Sequence, residues 1–307
     1  MGGFEPRRRR FLLGLAGMGA LAMLPTGRAA PSARLERPIP SSGEWLPVIG
    51  MGTWITFNVN RDPVSMAPLL PVLETFFAQG GALIDSSPMY GTAEAVLGEL
   101  LERVKGHERL FSATKVWTPG QRMGERQMER SRELWRLPRF DLMQVHNLLD
   151  WEAHLETLQA WKDAGRIRYV GITTSHGRRH EDMEHLMRTR PLDFVQFTYN
   201  VLDREAERRL LPLAQERGLA VIINRPFRGG SLFGRVRNRQ LPGWAAEIDC
   251  QNWAQVFLKF IISHPAVTCA IPATSKVEHM RQNMGAVTGR LPDAALRKRM
   301  AAVLAEL

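Results

Sequence analysis

The chain has 307 residues, 44% of them hydrophobic and 23% charged, a balance that supports a buried core and excludes a disordered or low-complexity polypeptide. Its net charge of +10 is shared between a basic leader, where Arg7–Arg10 and Arg28 stand against Glu5, and a body whose arginines interleave with glutamates, as in Glu125-Arg126 and Glu129-Arg130. That alternation makes solvated helix faces and argues against a nucleic-acid stripe. The two cysteines, Cys250 and Cys269, lack metal-ligand spacing and read as small buried hydrophobes.

Residues 1–30 predict an export signal. Arg7-Arg8-Arg9-Arg10 precede Phe11-Leu12-Leu13, a Gly/Ala-rich apolar stretch runs to Leu24, and Gly27-Arg28-Ala29 offers small residues for cleavage. Arg8-Arg9, one further residue and Phe11-Leu12 resemble a Tat signal, with a Sec leader or an uncleaved anchor as alternatives. The apolar stretch is shorter than the roughly twenty residues of a membrane span. This reading implies a periplasmic protein that engages the Tat translocation machinery. Residues 31–44, rich in Pro, Ser and charge, read as a linker, and residues 45–307 as a single domain expected to be a monomer.

From there, short apolar runs alternate with amphipathic segments. Ile49 to Thr53 is a first strand. Ala82-Leu83-Ile84 ends in Asp85. Thr92 is placed to cap a helix carrying Val96, Leu97, Leu100, Leu101 and Val104 on one face. Leu110 to Thr114 ends in Lys115, and a helix is expected over about 122–137. Leu142 to Val145 ends in His146, and a helix carrying Leu155, Leu158 and Trp161 stops at Gly165, a good residue just past a helix end. Tyr169 to Thr173, Phe194 to Tyr199, Leu219 to Ile223 and Val267 to Ile271 continue the cycle. About eight strand–helix units imply an α/β fold of the (β/α)8 TIM-barrel type. An open doubly wound sheet is the alternative, but no strand is followed by G-x-G-x-x-G.

Asp85, Lys115 and His146 thus end three consecutive strands, and Tyr90 lies in the loop after the first. In such a barrel these positions face one mouth. Together they suit carbonyl reduction. The developing alkoxide needs a proton, which the Tyr90 hydroxyl can supply. The Lys115 ammonium favours the phenolate, Asp85 keeps that ammonium charged and in place, and a neutral His146 orients and polarises the carbonyl. The loop from Asn224 through Arg225, Phe227 and Arg228 to Gly230 is basic and Gly-rich and suits a pyrophosphate. His176 and His180 have helical ligand spacing, with His185, Glu181, Asp182 and Glu184 nearby. They read as a solvated helix start, and no metal is expected.

The segments Ile84-Asp85-Ser86-Ser87-Pro88-Met89-Tyr90-Gly91, Thr114-Lys115-Val116-Trp117 and Asp141-Leu142-Met143-Gln144-Val145-His146 resemble, in order, motifs of the aldo-keto reductase family. Gly165 to Ile172 and Ile271 to Lys276 resemble later blocks, and the likeness runs from about Leu46 to Ala286. The resemblance implies a barrel that binds NADP(H) across its mouth, without a Rossmann domain, and transfers hydride between the nucleotide and an aldehyde, ketone or alcohol. It implies catalytic roles for Asp85, Tyr90, Lys115 and His146, and a substrate pocket walled by Trp54 and Trp117 beside His146. It implies cofactor contacts at Gly52, Thr53, Trp54, Asp85, Thr173, Thr174, Gln196, Asn224, Arg225, Phe227, Thr274, Ser275, Lys276, Gln282 and Asn283. Thr173-Thr174 replace the family's usual Ser-Asn, and Asn224 stands where an aromatic ring often stacks. Ala273 and His279 stand where basic residues often grip a 2′-phosphate, with Lys276 and Arg281 nearby. The resemblance puts NADP(H) ahead of NAD(H), and these departures alter the grip on the nucleotide. The alternative is an exported barrel that binds nucleotide or a small carbonyl or sugar ligand without turnover.

Overall fold

Residues 1–2 and 34–306 are described in the computed structural model, so all but the first two residues of the leader expected at 1–30 lie outside the described residues. Eight strands build the sheet: β3 (Met51–Gly52), β4 (Leu83–Asp85), β5 (Phe111–Val116), β6 (Phe140–Val145), β7 (Ile167–Thr173), β8 (Phe194–Thr198), β9 (Ala220–Asn224) and β10 (Cys269–Ala270), after a hairpin of β1 (Glu36–Pro38) and β2 (Trp45–Pro47). Each of β3 to β10 pairs in parallel with the next in sequence, and bridges Ile49–Ala270 and Gly52–Ala273 join the last strand to the first. The sheet is therefore a barrel and not an open doubly wound sheet.

Helices cover the outside. α1 (Pro63–Met66) and α2 (Leu70–Ala78) follow β3, α3 (Ala93–Leu101) follows β4, and α4 (Gln121–Trp135) follows β5. α5 (Trp151–Asp163), α6 (His180–Thr189) and α7 (Leu210–Arg217) follow β6, β7 and β8. α8 (Ser231–Arg235) and α9 (Trp253–Ile262) follow β9, and α10 (Val277–Met284) and α11 (Ala294–Glu306) close the chain. Among the described residues no helix is long and apolar enough to cross a membrane. Strands buried on both faces explain why the sequence shows short apolar runs and not alternation. A separate inner cluster, including Leu83, Phe111, Leu142, Phe194 and Ile222, fills the barrel, and the hairpin residues Ile39 and Leu46 belong to it. α3 and α4 meet where Gly98 leaves room: a Cβ there would lie 1.9 Å from the Leu134 carbonyl oxygen.

Three local expectations change. Of the stretch read as a linker, residues 31–44, the described part from 34 on carries strand β1 and is tied down. Arg37 donates to the carbonyls of Ile262 (2.8 Å), His264 (2.6 Å) and Val267 (2.5 Å), at the C-terminal end of α9 and in the turn after it. Thr92 precedes α3 but makes no side-chain cap; its hydroxyl donates instead to the Val59 carbonyl at 2.6 Å. The helix expected over about 122–137 is α4, ending at Trp135 with Arg136 left-handed. Gly165 does follow α5 with a positive φ of 71°. Cys250 and Cys269 are free and buried.

Candidate active site

The strand register decides what meets at the mouth. Gly52 pairs with Asp85 and Lys115 with Gln144 at or next to C-terminal strand ends, and Thr173, the last residue of β7, pairs with Gln196 in the middle of β8. Lys115 Nζ lies 2.5 Å from Asp85 Oδ2 and donates at 2.7 Å to the Ser86 carbonyl, with both side chains buried. The other carboxylate oxygen, Asp85 Oδ1, accepts from Gln144 Nε2 and Gln196 Nε2, each at 3.0 Å. Tyr90, half-buried, presents its ring 5.2 Å from Lys115 Nζ. The His146 ring stands edge-on to Tyr90, centroids 5.9 Å apart, and 6.4 Å from the Trp117 ring. The four residues expected to converge are brought together.

Their ionisation follows from burial. Burial works against the Lys115 ammonium, but Asp85 and Tyr90 together lift its pKa above the usual 10.5. Burial pushes the Tyr90 phenol above 10.0, while Lys115 pulls it back down. The expectation that the lysine brings the phenol down is therefore only part of the balance. Burial, then the Lys115 charge, holds His146 down at about 3, so the imidazole is neutral over the ordinary pH range.

Several supporting residues were not singled out in the sequence. Ser87 Oγ lies 2.9 Å from His146 Nδ1. Gln144 is buried in the run Leu142–Val145, whose other members are apolar, a polar exception that could have flagged it. An amide relay runs outward from Asp85. Gln196 Nε2 also donates to Gln144 Oε1 (3.2 Å), Asn224 Nδ2 donates to Gln196 Oε1 (3.4 Å), and Thr198 Oγ1 donates to Asn224 Oδ1 (2.7 Å). Buried Glu94, its carboxyl pushed up by burial, accepts from Thr114 (2.5 Å) and Ser131 (2.8 Å) and so fastens α3 to β5 and α4 next to Lys115. Gln127 of α4 clamps the Trp117 backbone, accepting from its N–H at 2.6 Å and donating to its carbonyl at 3.0 Å.

The expected pocket and cofactor residues are placed unevenly. Trp54 and Trp117 are 43% and 41% exposed, so neither is a core aromatic. Next to Trp54, Ile55 holds a positive φ of 64°, a strained backbone for a β-branched residue. Thr53 donates to Ser86 Oγ at 2.8 Å, and Thr173 Oγ1 accepts the Asn147 N–H at 3.1 Å. Thr174 Oγ1, by contrast, is buried with no partner among the described residues. Gln196 is engaged by the relay, and Asn224 bridges to the Thr174 carbonyl at 2.8 Å. In the β9 loop Arg225 and Arg228 have positive φ, Arg228 pairs with Asp203 at 3.2 Å, and Phe227 packs on Phe233 with centroids 4.9 Å apart. Thr274 and Asn283 are buried, Ser275 and Lys276 are exposed, and Gln282 donates to Glu278 at 3.2 Å. His176 lies outside α6 with a left-handed backbone, so its spacing from His180 is not helical. Among the described residues no group of three or more His, Cys, Asp or Glu side chains is placed to hold a metal.

Comparison with known proteins agrees with this picture. Residues 48–302 match the profile of the Aldo/keto reductase family. The aldo-keto reductase YhdN of Bacillus subtilis (strain 168) is 27% identical over 203 residues, 61% of this chain and 60% of that protein. The NADH-specific methylglyoxal reductase of Escherichia coli (strain K12) is 24% identical over 80% of this chain and 91% of its own. An aldo-keto reductase from Klebsiella pneumoniae, solved in complex with NADPH, superposes with a TM-score of 0.68 at 24% identity, covering 85% of this chain and 92% of that one. The aldo-keto reductase AKR11C1 from Bacillus halodurans gives a TM-score of 0.72 at 19% identity, covering 89% and 96%.

Proposed function

This chain belongs to the aldo/keto reductase family, and on that premise we propose that Tyr90, Lys115, Asp85 and His146 carry out its oxidoreductase chemistry on an aldehyde or ketone, or on the corresponding alcohol. The observation that carries this reading is the single buried cluster in which Lys115 Nζ is 2.5 Å from Asp85 Oδ2 and 5.2 Å from the Tyr90 ring centre, with His146 beside the phenol. Tyr90 gives its proton to the oxygen that gains charge, and Lys115 stabilises the phenolate left behind. Asp85, held by two glutamine amides, keeps the ammonium in place. His146, neutral, donates to the same oxygen and fixes its direction. Trp54 and Trp117 wall an apolar entrance.

The nucleotide we propose is NADP(H), in preference to NAD(H). When bound, the reduced nicotinamide supplies the hydride. The unpartnered buried Thr174 hydroxyl fits a carboxamide, and the Arg225–Gly230 loop offers cationic and glycine-opened backbone for a pyrophosphate. An NADPH complex in a similar fold supports this choice, while the NADH specificity named for the Escherichia coli relative makes it a point to test. The test measures NADPH and NADH consumption with a panel of aldehydes. Wild type turns over, Tyr90→Phe falls by about 10²–10⁴, and equal turnover by the two proteins removes Tyr90 from the role.

We propose in addition that the protein reaches the periplasm through the Tat route as a monomer that has already folded around its nucleotide. The support is the Arg8-Arg9-Arg10-Phe11-Leu12 run ahead of a Gly/Ala-rich stretch. Replacing Arg8 and Arg9 by lysine is expected to hold the protein in the cytoplasm. An unchanged periplasmic fraction refutes the route, and periplasmic protein free of nucleotide refutes the loaded cargo.

A further inference from the structure

We infer that Ser87 is a positioning residue: its hydroxyl donates to His146 Nδ1 and so fixes the imidazole with its one proton on Nε2. Ser87 is fully buried. Its Oγ has two neighbours within hydrogen-bond reach, the Met89 N–H at 3.2 Å and His146 Nδ1 at 2.9 Å. The Met89 N–H can only donate, so one lone pair of Oγ is taken. Among the described residues the hydroxyl hydrogen then has one acceptor, Nδ1. Were Nδ1 protonated, Oγ would accept from both neighbours and its own hydrogen would be buried without a partner, a costly arrangement. The Nδ1 lone pair is therefore used, and the proton of the neutral ring sits on Nε2. Among the described residues that nitrogen has no partner, and it is not sealed from solvent, so it is placed to donate at the mouth.

The same serine also sets the phenol. The Ser87 carbonyl accepts the Tyr90 N–H at 2.9 Å, closing the turn Ser87-Pro88-Met89-Tyr90. Pro88 keeps Ser87 extended and narrows the freedom of that turn. One residue thus ties down the backbone of Tyr90 and the ring of His146, whose centroids stand 5.9 Å apart. The consequence for reduction rests on the proposed function; the tautomer assignment does not.

The test uses the full chain labelled with ¹⁵N-histidine, with His146→Asn to assign the ring signals. Wild type is expected to show His146 as the Nε2–H tautomer, with Nδ1 shifted by an accepted hydrogen bond. In Ser87→Ala that shift disappears, and kcat for aldehyde reduction falls roughly fivefold, the equivalent of one hydrogen bond, while KM for the nucleotide holds. A wild-type ring protonated on Nδ1 overturns the assignment, as does a Ser87→Ala protein whose Nδ1 signal and kcat match wild type. A wild-type Nε2–H ring whose Nδ1 shift is lost in Ser87→Ala, in a protein that reduces no carbonyl, supports the assignment while removing the reductase reading.

Discussion

Replacing Asp85 by asparagine changes one charge and almost no volume, yet the hydrogen-bond pattern leaves the new amide no good orientation. With its oxygen toward Gln144 and Gln196, the amide keeps both donors but sets an N–H₂ where a carboxylate oxygen now stands 2.5 Å from Lys115 Nζ. Turned the other way, it meets two glutamine N–H₂ groups at 3.0 Å. Those glutamines cannot simply flip, because Gln196 donates on to Gln144 and Asn224 to Gln196, so each reversal passes to the next amide. Removing one partner from a buried ion pair costs about 3–5 kcal/mol, a large share of a typical stability of about 5–15 kcal/mol. The sign with pH is fixed. In the wild type the Lys115 pKa lies above 10.5, so the pair contributes fully below 10.5 and is lost only as pH rises past it. Without Asp85, burial dominates and lowers that pKa, so the penalty grows as pH falls from 10.5. Urea unfolding at neutral pH and near pH 10 measures both effects. A variant within about 0.5 kcal/mol of wild type at neutral pH, or a gap that widens toward pH 10, refutes the reasoning.

Other outcomes follow from the same geometry. Reduction is expected to keep its rate from mildly acidic pH past 10.0, because His146 titrates at about 3 and burial holds the Tyr90 proton above 10.0; a pH–rate profile with an acid limb near 6.5 contradicts this. Folding stability from neutral His146 is complete above 6.5 and drains as pH falls toward about 3, so His146→Asn is expected to flatten the acid side of a stability profile measured by chemical unfolding. Thr174→Val removes a buried hydroxyl with no partner among the described residues; the free protein is expected to be no less stable, while nucleotide Kd by fluorescence titration rises roughly fivefold. An unchanged Kd takes Thr174 out of the cofactor site.

What was legible in the sequence is what depends on single strands. Asp85, Lys115 and His146 each end an apolar run, and parallel pairing in sequence order places such ends at one mouth whatever the exact boundaries. Strand ends shifted by a residue or two, as at Tyr199 and Leu219, without moving the site. What depends on two distant segments was not legible. Residues 31–44 look like a linker because Pro38, Pro40 and Ser41 are turn and edge residues; only the approach of Trp45–Pro47 makes Glu36–Pro38 a strand. Ser87 reads as part of a loop until His146, 59 residues later, is set against it. Thr92 carries the right residue type for a cap, but Asn58 and Val59 compete successfully for its hydroxyl.

The Arg37 plug has a temporal side. Its carbonyl partners lie as far as 230 residues along the chain, and the Leu35 N–H is bonded to the Val287 carbonyl. The first strands therefore wait, during synthesis, for nearly the whole polypeptide to emerge. Until then β3 has no β10 to close on, and its outer edge is bare and able to pair with other chains. A product cut before Cys269 lacks the strand that joins the sheet back to β3.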